Sequence, residues 1–251
     1  MGKEKLIPIV EGYNVEDEPL YIEEYMFIKG YATAKGLSNT LKALPLARKI
    51  HDGKYRKGTV VVNGTVRRLP YLLHVLKVTN TLISLSLPMT DEELDILLVG
   101  GLLYDALEDD EGYLSHGGRD IVTEYGISEE VFAIISLLSK RPGATEAELN
   151  HYFNAIKMNK YTLLIKMADR GHNVEDLYNM KPERLHRYIK ETRDYVYPLS
   201  TYAKAHYPEL SNGVTILKSK IVSLTELTET LVNMYEAVIA EMKQTGKDES
   251  A

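Results

Sequence analysis

Helix start and stop signals recur along most of the chain, and they constrain its fold more than any other feature. Residues 90–93 (Thr-Asp-Glu-Glu) and 145–148 (Thr-Glu-Ala-Glu) both have the pattern of a capping box. In this motif a Thr and the Glu three residues later satisfy free backbone N–H groups at the start of a helix. Ser128 is placed to cap a further helix, which Pro142 and Gly143 end. These signals predict an all-α protein.

The predicted helices cover residues 91–109, 129–140, 146–158 and 161–180. Another helix is expected from Pro182, which suits a first helical turn, and it must break or bend near Pro198. Gly100 and Gly101 lie inside the first of these helices, where glycine lowers helix propensity. We therefore expect another backbone to pass close to this glycine pair.

The convincing β feature is the segment 59–66 (Thr-Val-Val-Val-Asn-Gly-Thr-Val). Asn-Gly between β-branched residues favours a tight hairpin turn, because both turn positions require a positive φ. The segment predicts a small hairpin and not part of a larger sheet.

The predicted organisation is an N-terminal helical extension (1–36), a main domain (37–210), a long C-terminal helix (211–245) and a disordered tail (246–251). The long helix carries an apolar stripe at spacings near three and four, which a coiled-coil dimer also requires. Packing on the chain's own domain is favoured over a homodimer, since Thr228 interrupts the seam. The stripe consists of Leu217, Ile221, Leu224, Leu231, Tyr235, Val238 and Met242.

The formal net charge is −6, which disfavours DNA or RNA as a partner because phosphate-backbone binding needs clustered positive charge. Residues 48–68 nevertheless contain seven Lys and Arg residues against the single acid Asp52. Such a local basic segment suits a small phosphorylated ligand, and the alternative is a solvated basic loop.

The sequence has no cysteine, so a metal ion would have to be held by His, Asp or Glu. It also has no apolar run long enough to span a membrane, and its first residues lack the apolar stretch of a secretory signal. A cytoplasmic location without membrane contact is therefore expected.

Acids, histidines and bases occur together in four segments, residues 47–58, 70–74, 102–109 and 165–173. In the third segment, Asp105 is three and four residues from Glu108 and Asp109, so a helix would project all three from one face. In the fourth, Asp169 and Asn173 share a face. Taken singly, each acid is as well explained as a solvated surface residue, and each histidine as a structural one.

The order of these motifs resembles the HD hydrolase domain of the RelA/SpoT homologue family, from about residue 45 to residue 198. The residues that carry the resemblance follow the order His…Arg-Lys-Gly…Pro-Tyr-x-x-His…Leu-Leu-x-Asp-x-x-Glu-Asp…Lys-x-Ala-Asp-Arg-x-His-Asn. The resemblance implies an HD-type helical bundle. It also implies metal-dependent removal of the 3′-pyrophosphate from (p)ppGpp or a related phosphorylated nucleotide.

The resemblance further implies roles for individual residues. A divalent metal, typically manganese, would be held by His51, Tyr104, Asp105 and Asp169, and the attacking water would be activated by Glu108 and Asp109. The base and phosphates would be contacted by Arg48, Lys49, Arg56 and Lys57, the nucleoside would lie near Asn173, and His74 would brace the site.

The sequence departs from the family at Tyr104, where the His-Asp doublet has its histidine. A neutral phenol is a poor manganese ligand. Three alternatives are open: a metal held with extra waters, ligation by a phenolate, or a tyrosine that fills the metal position in a pseudo-enzyme. His116 and His172 are possible substitutes for the missing ligand.

The retained acids favour a metal-dependent phosphohydrolase, because their mutual repulsion would otherwise be uncompensated. The alternative is a catalytically impaired HD domain that binds a nucleotide or a protein partner as a regulator. A third hypothesis is a helical interaction module that uses the C-terminal stripe.

Overall fold

The computed structural model describes residues 19–62, 65–108, 118–140, 143–175 and 182–248, and helices dominate these ranges. The helices are α1 (Pro19–Lys35), α2 (Ser38–Ile50), α3 (Tyr71–Ser84), α4 (Asp91–Leu103), α5 (Asp120–Thr123), α6 (Glu129–Leu138), α7 (Glu146–Lys157), α8 (Lys160–Asn173), α9 (Pro182–Glu191), α10 (Tyr197–His206) and α11 (Ser211–Asp248). The predicted all-α fold is confirmed. No helix in the described ranges is both long enough and apolar enough to cross a membrane.

Both predicted capping boxes are present. At the start of α4, the Thr90 hydroxyl accepts from the backbone N–H of Glu93 at 3.2 Å, and the Glu93 carboxylate accepts from the Thr90 N–H at 2.9 Å. Thr145 and Glu148 form the same pair of bonds at the start of α7. Ser128 caps α6 through the N–H of Val131. These signals were predictable because each cap involves residues only three positions apart.

Helix α4 ends at Leu103 and not at Asp109, so the predicted extent of this helix is wrong. Residues 104–108 form turns, in which the Ala106 N–H donates to the Leu103 carbonyl and the Glu108 N–H donates to the Asp105 carbonyl. Asp105 and Glu108 therefore do not project from one helical face. Helix α8 also ends earlier than predicted, at Asn173, and α6 ends at Leu138.

Helices α3, α4 and α8 pack against one another and contribute many of the fully buried side chains. The glycine pair lies where α4 meets its neighbours, as expected. A Cβ on Gly100 would lie 2.8 Å from Ile165 of α8, and one on Gly101 would lie 3.0 Å from Leu82 of α3. The close approach is made mainly by side chains, although the Cα of Thr79 lies 3.7 Å from the Gly101 position.

The predicted hairpin is present as the antiparallel strands β1 (Tyr55–Val62) and β2 (Thr65–Pro70), with Val62 opposite Thr65. Its predicted turn residues, Asn63 and Gly64, lie outside the described residues. Strand β2 leads directly into α3, and the Tyr71 N–H donates to the Lys54 carbonyl at 2.8 Å. The hairpin, which carries part of the basic segment, therefore lies next to the first turn of α3.

The break predicted near Pro198 is present as a π-helical segment, Thr192–Val196, between α9 and α10. Pro198 lies in the first turn of α10, where its missing N–H is tolerated. At the other end of the chain, the predicted extension contains α1, which packs on α3 and buries Ile28 and Ala32.

Helix α11 begins at Ser211, as predicted, and continues to Asp248. The first three residues of the predicted tail, 246–248, are included in this helix, while residues 249–251 lie outside the described part. Leu217 and Ile221 are buried on the domain, but six large apolar side chains between Leu227 and Met242 are exposed. Packing on the domain therefore accounts for the first half of the predicted stripe alone.

Candidate functional site

A buried polar cluster forms where α3, α8 and the turn after α4 meet. The Tyr104 hydroxyl lies 2.6 Å from Nε2 of His74 and donates to Oδ1 of Asp169 at 3.1 Å. His74 Nε2 is itself 3.2 Å from the same carboxylate oxygen. The three side chains are almost fully buried. They are the centre of what we call the Tyr104 cluster.

The cluster extends through a second histidine. Nδ1 of His74 lies 2.7 Å from Nδ1 of His172, so one of these two nitrogens must carry a proton and the other must accept it. A consistent assignment has His172 donating to His74, and His74 donating from Nε2 towards Tyr104 and Asp169. Burial lowers the pKa of His172 to about 2, and the neighbouring His74 acts in the same direction.

The Asp169 carboxylate receives two more donors from its own helix. Asn173 Nδ2 donates to Oδ1 at 2.5 Å, and the Lys166 ammonium donates to Oδ2 at 3.1 Å. Burial by itself would raise the pKa of the Asp169 carboxyl, but the Lys166 ammonium and the His74 hydrogen bond outweigh burial and lower it. Asp169 is therefore a buried carboxylate whose charge is compensated by the partly buried Lys166.

Asp105 lies beside the cluster with a different set of contacts. Its Oδ2 accepts a hydrogen bond from the Tyr71 hydroxyl at 2.6 Å. Burial raises the pKa of Asp105 well above its usual value, and the Asp169 carboxylate adds to the increase, although the Tyr71 bond opposes it. Two neighbouring carboxyl groups thus have pKa values displaced in opposite directions, which is common at functional sites.

His74 is the histidine that contacts Tyr104 and Asp169, although only a supporting role was predicted for it. His51, the predicted metal ligand, is buried with its ring 5.3 Å from the ring of Tyr71. Tyr71 in turn lies 5.5 Å from the ring of His74. Burial lowers the pKa of His51 to about 3, and the charges of Lys54 and His74 add to the effect.

The basic hairpin reaches the cluster through Arg56. Its Nη2 donates to Oδ1 of Asn173 at 3.0 Å, while the amide nitrogen of Asn173 donates to Asp169. Arg48 and Lys49 lie exposed in the last turn of α2. Lys57 follows Arg56 in β1, and its side chain lies outside the described part of the chain. Arg56 and Asn173 are thus the predicted nucleotide-binding pair that the structure brings into contact.

Of the two predicted catalytic acids, Glu108 lies close enough to Asp105 for its charge to raise the pKa of that carboxyl further. Glu108 is exposed, and its carboxylate accepts a hydrogen bond from the backbone N–H of Lys140. Asp109 and the possible substitute ligand His116 lie outside the described residues.

Tyr71 and Lys166 belong to the motifs that carry the family resemblance, but no role was predicted for either residue. Lys166 lies three residues before Asp169 on a helix, and that spacing was the available signal for an ion pair. Tyr71 lies three residues before His74 at the start of α3, on the same face. Neither spacing indicates that the side chain contacts a buried carboxyl group.

A cavity of about 710 Å³ lies elsewhere, between α7, the π-helical segment, α10 and α11. Phe153 and Tyr195 stack in its wall with ring centroids 4.9 Å apart. None of the predicted site residues lines this cavity. The Tyr104 cluster is identified by its buried, interacting polar groups and not by an enclosed volume.

The donor atoms of the cluster do not fit a divalent metal in this arrangement. Within the described ranges, no three His, Asp or Glu side chains are grouped so that they could hold a metal ion. The Tyr104 hydroxyl contacts both His74 and Asp169, which also lie 3.2 Å from each other, so these three groups satisfy one another's hydrogen bonds without an ion. Burial raises the pKa of Tyr104 well above its usual value, as do the nearby carboxylates, so the phenol stays neutral and is a poor ligand.

Comparison with known proteins gives partial similarity to enzymes of guanosine nucleotide metabolism. No protein-family model matches the chain. It is 28% identical over 161 residues to the guanosine-3′,5′-bis(diphosphate) 3′-pyrophosphohydrolase of Haemophilus influenzae, covering 62% of this chain and 21% of that protein. It is 29% identical over 160 residues to a GTP pyrophosphokinase of Streptomyces antibioticus, covering 63% and 17%, respectively.

A third relative, a probable GTP pyrophosphokinase of Mycobacterium leprae, is 31% identical over 137 residues, covering 52% of this chain and 16% of that protein. The chain thus spans about a fifth or less of the length of these relatives. The names of these relatives describe both the removal and the transfer of pyrophosphate.

Proposed function

We propose that this chain binds a guanosine nucleotide of the (p)ppGpp class beside the Tyr104 cluster, and that it does not hydrolyse the nucleotide through a bound metal. The observation that carries this proposal is the Tyr104 hydroxyl, which is hydrogen-bonded to both His74 and Asp169. Within the cluster, Lys166 compensates the charge of Asp169, and Tyr104 forms hydrogen bonds with His74 and Asp169. The cluster therefore has the scaffold of a phosphohydrolase site without a place for the ion.

The basic hairpin supports the nucleotide part of the proposal. The Arg56 guanidinium has five N–H donors in a planar fork, which suits the oxygens of a diphosphate. Its bond to Asn173 places that fork next to α8, and the exposed Arg48 and Lys49 add positive charge at the end of α2. Lys57 belongs to the same hairpin. These groups would bind and orient a phosphorylated ligand without a metal.

Metal-dependent hydrolysis is the second candidate function, and the retention of two buried carboxyl groups favours it. Asp105 and Asp169 lie close enough for the Asp169 charge to raise the pKa of Asp105, and a bound cation would relieve this repulsion. In this candidate manganese would be held by His51, Asp105 and Asp169, with Glu108 and Asp109 as the catalytic acids. The ligand in either case is a small nucleotide, and a cytoplasmic location remains our prediction for both.

Titration of the purified chain with ppGpp, by calorimetry in EDTA and in manganese, tests the two candidates. We expect equal binding in both buffers, no manganese in the protein by elemental analysis, and no pyrophosphate release. An Arg56→Gln variant should bind at least tenfold more weakly. Release of pyrophosphate by the parent chain would establish hydrolysis instead, and a failure to bind any guanosine nucleotide would overturn both candidates.

Two substitutions of Tyr104 test whether its phenol prevents the binding of manganese. Tyr104→His supplies an imidazole and should give a manganese-dependent increase in the unfolding temperature. Tyr104→Phe lacks both the hydroxyl and the imidazole and serves as the matched control, with no response to manganese. If the parent chain responds to manganese as strongly as the histidine variant does, Tyr104 is not an obstacle to the metal.

A further inference from the structure

The second half of α11 carries six large apolar side chains on its surface. They are 52% to 65% exposed, whereas Val214, Leu217 and Ile221 in the first half of the same helix are buried on the domain. An exposed apolar patch of this kind, on a helix with acidic residues along its other faces, usually marks an interaction surface. The six are Leu227, Leu231, Met234, Tyr235, Val238 and Met242, and we call them the α11 stripe.

Contacts on another face of the helix keep the α11 stripe turned away from the domain. Arg193 of the π-helical segment donates to the Glu229 carboxylate from both terminal nitrogens of its guanidinium. His186 of α9 lies 3.3 Å from the carboxylate of Glu236. Rotating the helix to bury the stripe on its own domain would break both ion pairs, so a different occupant must cover it.

The spacing of the stripe identifies that occupant. The intervals between its successive members are four, three, one, three and four residues, and this order is the same in both directions. A two-fold axis across the helix between Met234 and Tyr235 would therefore bring Leu231 against Val238 of a second copy. The same axis would bring Leu227 against Met242. Such self-complementarity is the requirement of an isologous interface.

We propose that the α11 stripe pairs with the α11 stripe of a second copy of this chain, with the two helices antiparallel. The first half of each α11 is covered by its own domain, so an antiparallel pair keeps the two domains at opposite ends. Side chains of this size, each more than half exposed, offer on the order of 600–700 Å² per copy, so complete burial of both stripes would remove about 1,300 Å² from solvent, at the lower end of the roughly 1,200–2,000 Å² of specific interfaces.

Analytical ultracentrifugation of the full chain tests the association. We expect a dimer whose population rises with concentration, and a Leu231→Glu variant that is monomeric because it buries a carboxylate in the seam. Ile216→Glu is the matched control, since Ile216 is 57% exposed on the first half of α11, outside the stripe. This variant should remain a dimer. A parent chain that stays monomeric at its highest soluble concentration would overturn the proposal.

Disulfide trapping tests the direction of the helices, and the absence of cysteine from the chain makes the experiment clean. Met234→Cys should cross-link with itself, because position 234 lies beside the two-fold axis. Leu227→Cys should not cross-link with itself but should do so with a Met242→Cys chain. Rapid self-cross-linking of Leu227→Cys would instead establish a parallel pair. Neither experiment uses a nucleotide, so its outcome is independent of the proposed function.

Discussion

The Tyr104 hydroxyl joins His74 and Asp169, two residues that lie 95 positions apart in the sequence, at distances of 2.6 Å and 3.1 Å. One phenol thus supplies a hydrogen bond to each of two buried polar groups. The contact also holds the turn after α4 against α3 and α8. Tyr104 is therefore a structural link between three segments of the chain.

Removing the Tyr104 hydroxyl should destabilise the protein even though the ring remains. A Tyr104→Phe variant loses the hydrogen bonds of the phenol to His74 and to the Asp169 carboxylate, which should cost about 1.5–3 kcal/mol in the free energy of unfolding. Urea unfolding of the variant and the parent measures the loss. Tyr235→Phe, at a position 62% exposed, is the control and should change nothing measurable. Equal stability of parent and Tyr104→Phe would mean that the hydrogen bonds contribute no net stability.

Removing the Lys166 ammonium should be more damaging, because Asp169 would become a buried charge without its compensating partner. Breaking a buried ion pair from one side typically costs about 3–5 kcal/mol. A Lys166→Met variant should show this loss in urea unfolding. The double variant Lys166→Met/Asp169→Asn should recover part of it, since the uncompensated charge is gone. A double variant as unstable as the sum of the two single variants would show that the pair is not coupled.

The buried His51 should make the protein less stable in mild acid. Its pKa is about 3 in the folded state, whereas the unfolded chain has the ordinary value of 6.5. Between these values the unfolded state binds a proton that the folded state does not, so stability is full above about pH 6.5 and falls as the pH decreases towards 3, by up to about 1.4 kcal/mol per pH unit.

A His51→Gln variant should lose that part of the pH dependence. Urea unfolding from about pH 7 to about pH 5 gives the slope for each protein. His151→Gln, in an exposed position on α7, is the control and should keep the slope of the parent. The His172 contribution has the same sign and is present in all three proteins, so the difference between slopes isolates His51. An unchanged slope in His51→Gln would contradict the assignment.

The close packing at Gly100 should make even one methyl group unfavourable. A Cβ there would lie 2.8 Å from Ile165 and 3.3 Å from Ile134, so a Gly100→Ala variant should lose about 1–3 kcal/mol of stability through overpacking. Gly30 in α1 is the matched control, because a Cβ at that position meets nothing within 4 Å. Gly30→Ala should gain up to about 1 kcal/mol from helix propensity. Thermal unfolding of both variants measures the two opposite changes.

Local features of this protein were determined by the sequence itself. The caps at Thr90, Ser128 and Thr145 and the hairpin pairing of Val62 with Thr65 were predictable, because each depends on residues a few positions apart. The same holds for the interruption before Pro198, since a proline lacks the N–H that a continuous helix requires. The all-α class follows from these signals together.

The tertiary structure decided what lies far apart in the sequence. No local signal in the sequence ends α4 at Leu103. Tyr104 lies in the turn that follows, where its hydroxyl contacts His74 of α3 and Asp169 of α8. Nor could spacing tell whether His51 or His74 meets Asp169, because that choice depends on which face of α3 packs against α8. The apolar stripe that was predicted from Leu217 to Met242 has one continuous spacing, yet the domain buries only Leu217 and Ile221 at its start. Periodicity specifies a helix face, and only packing specifies what that face touches.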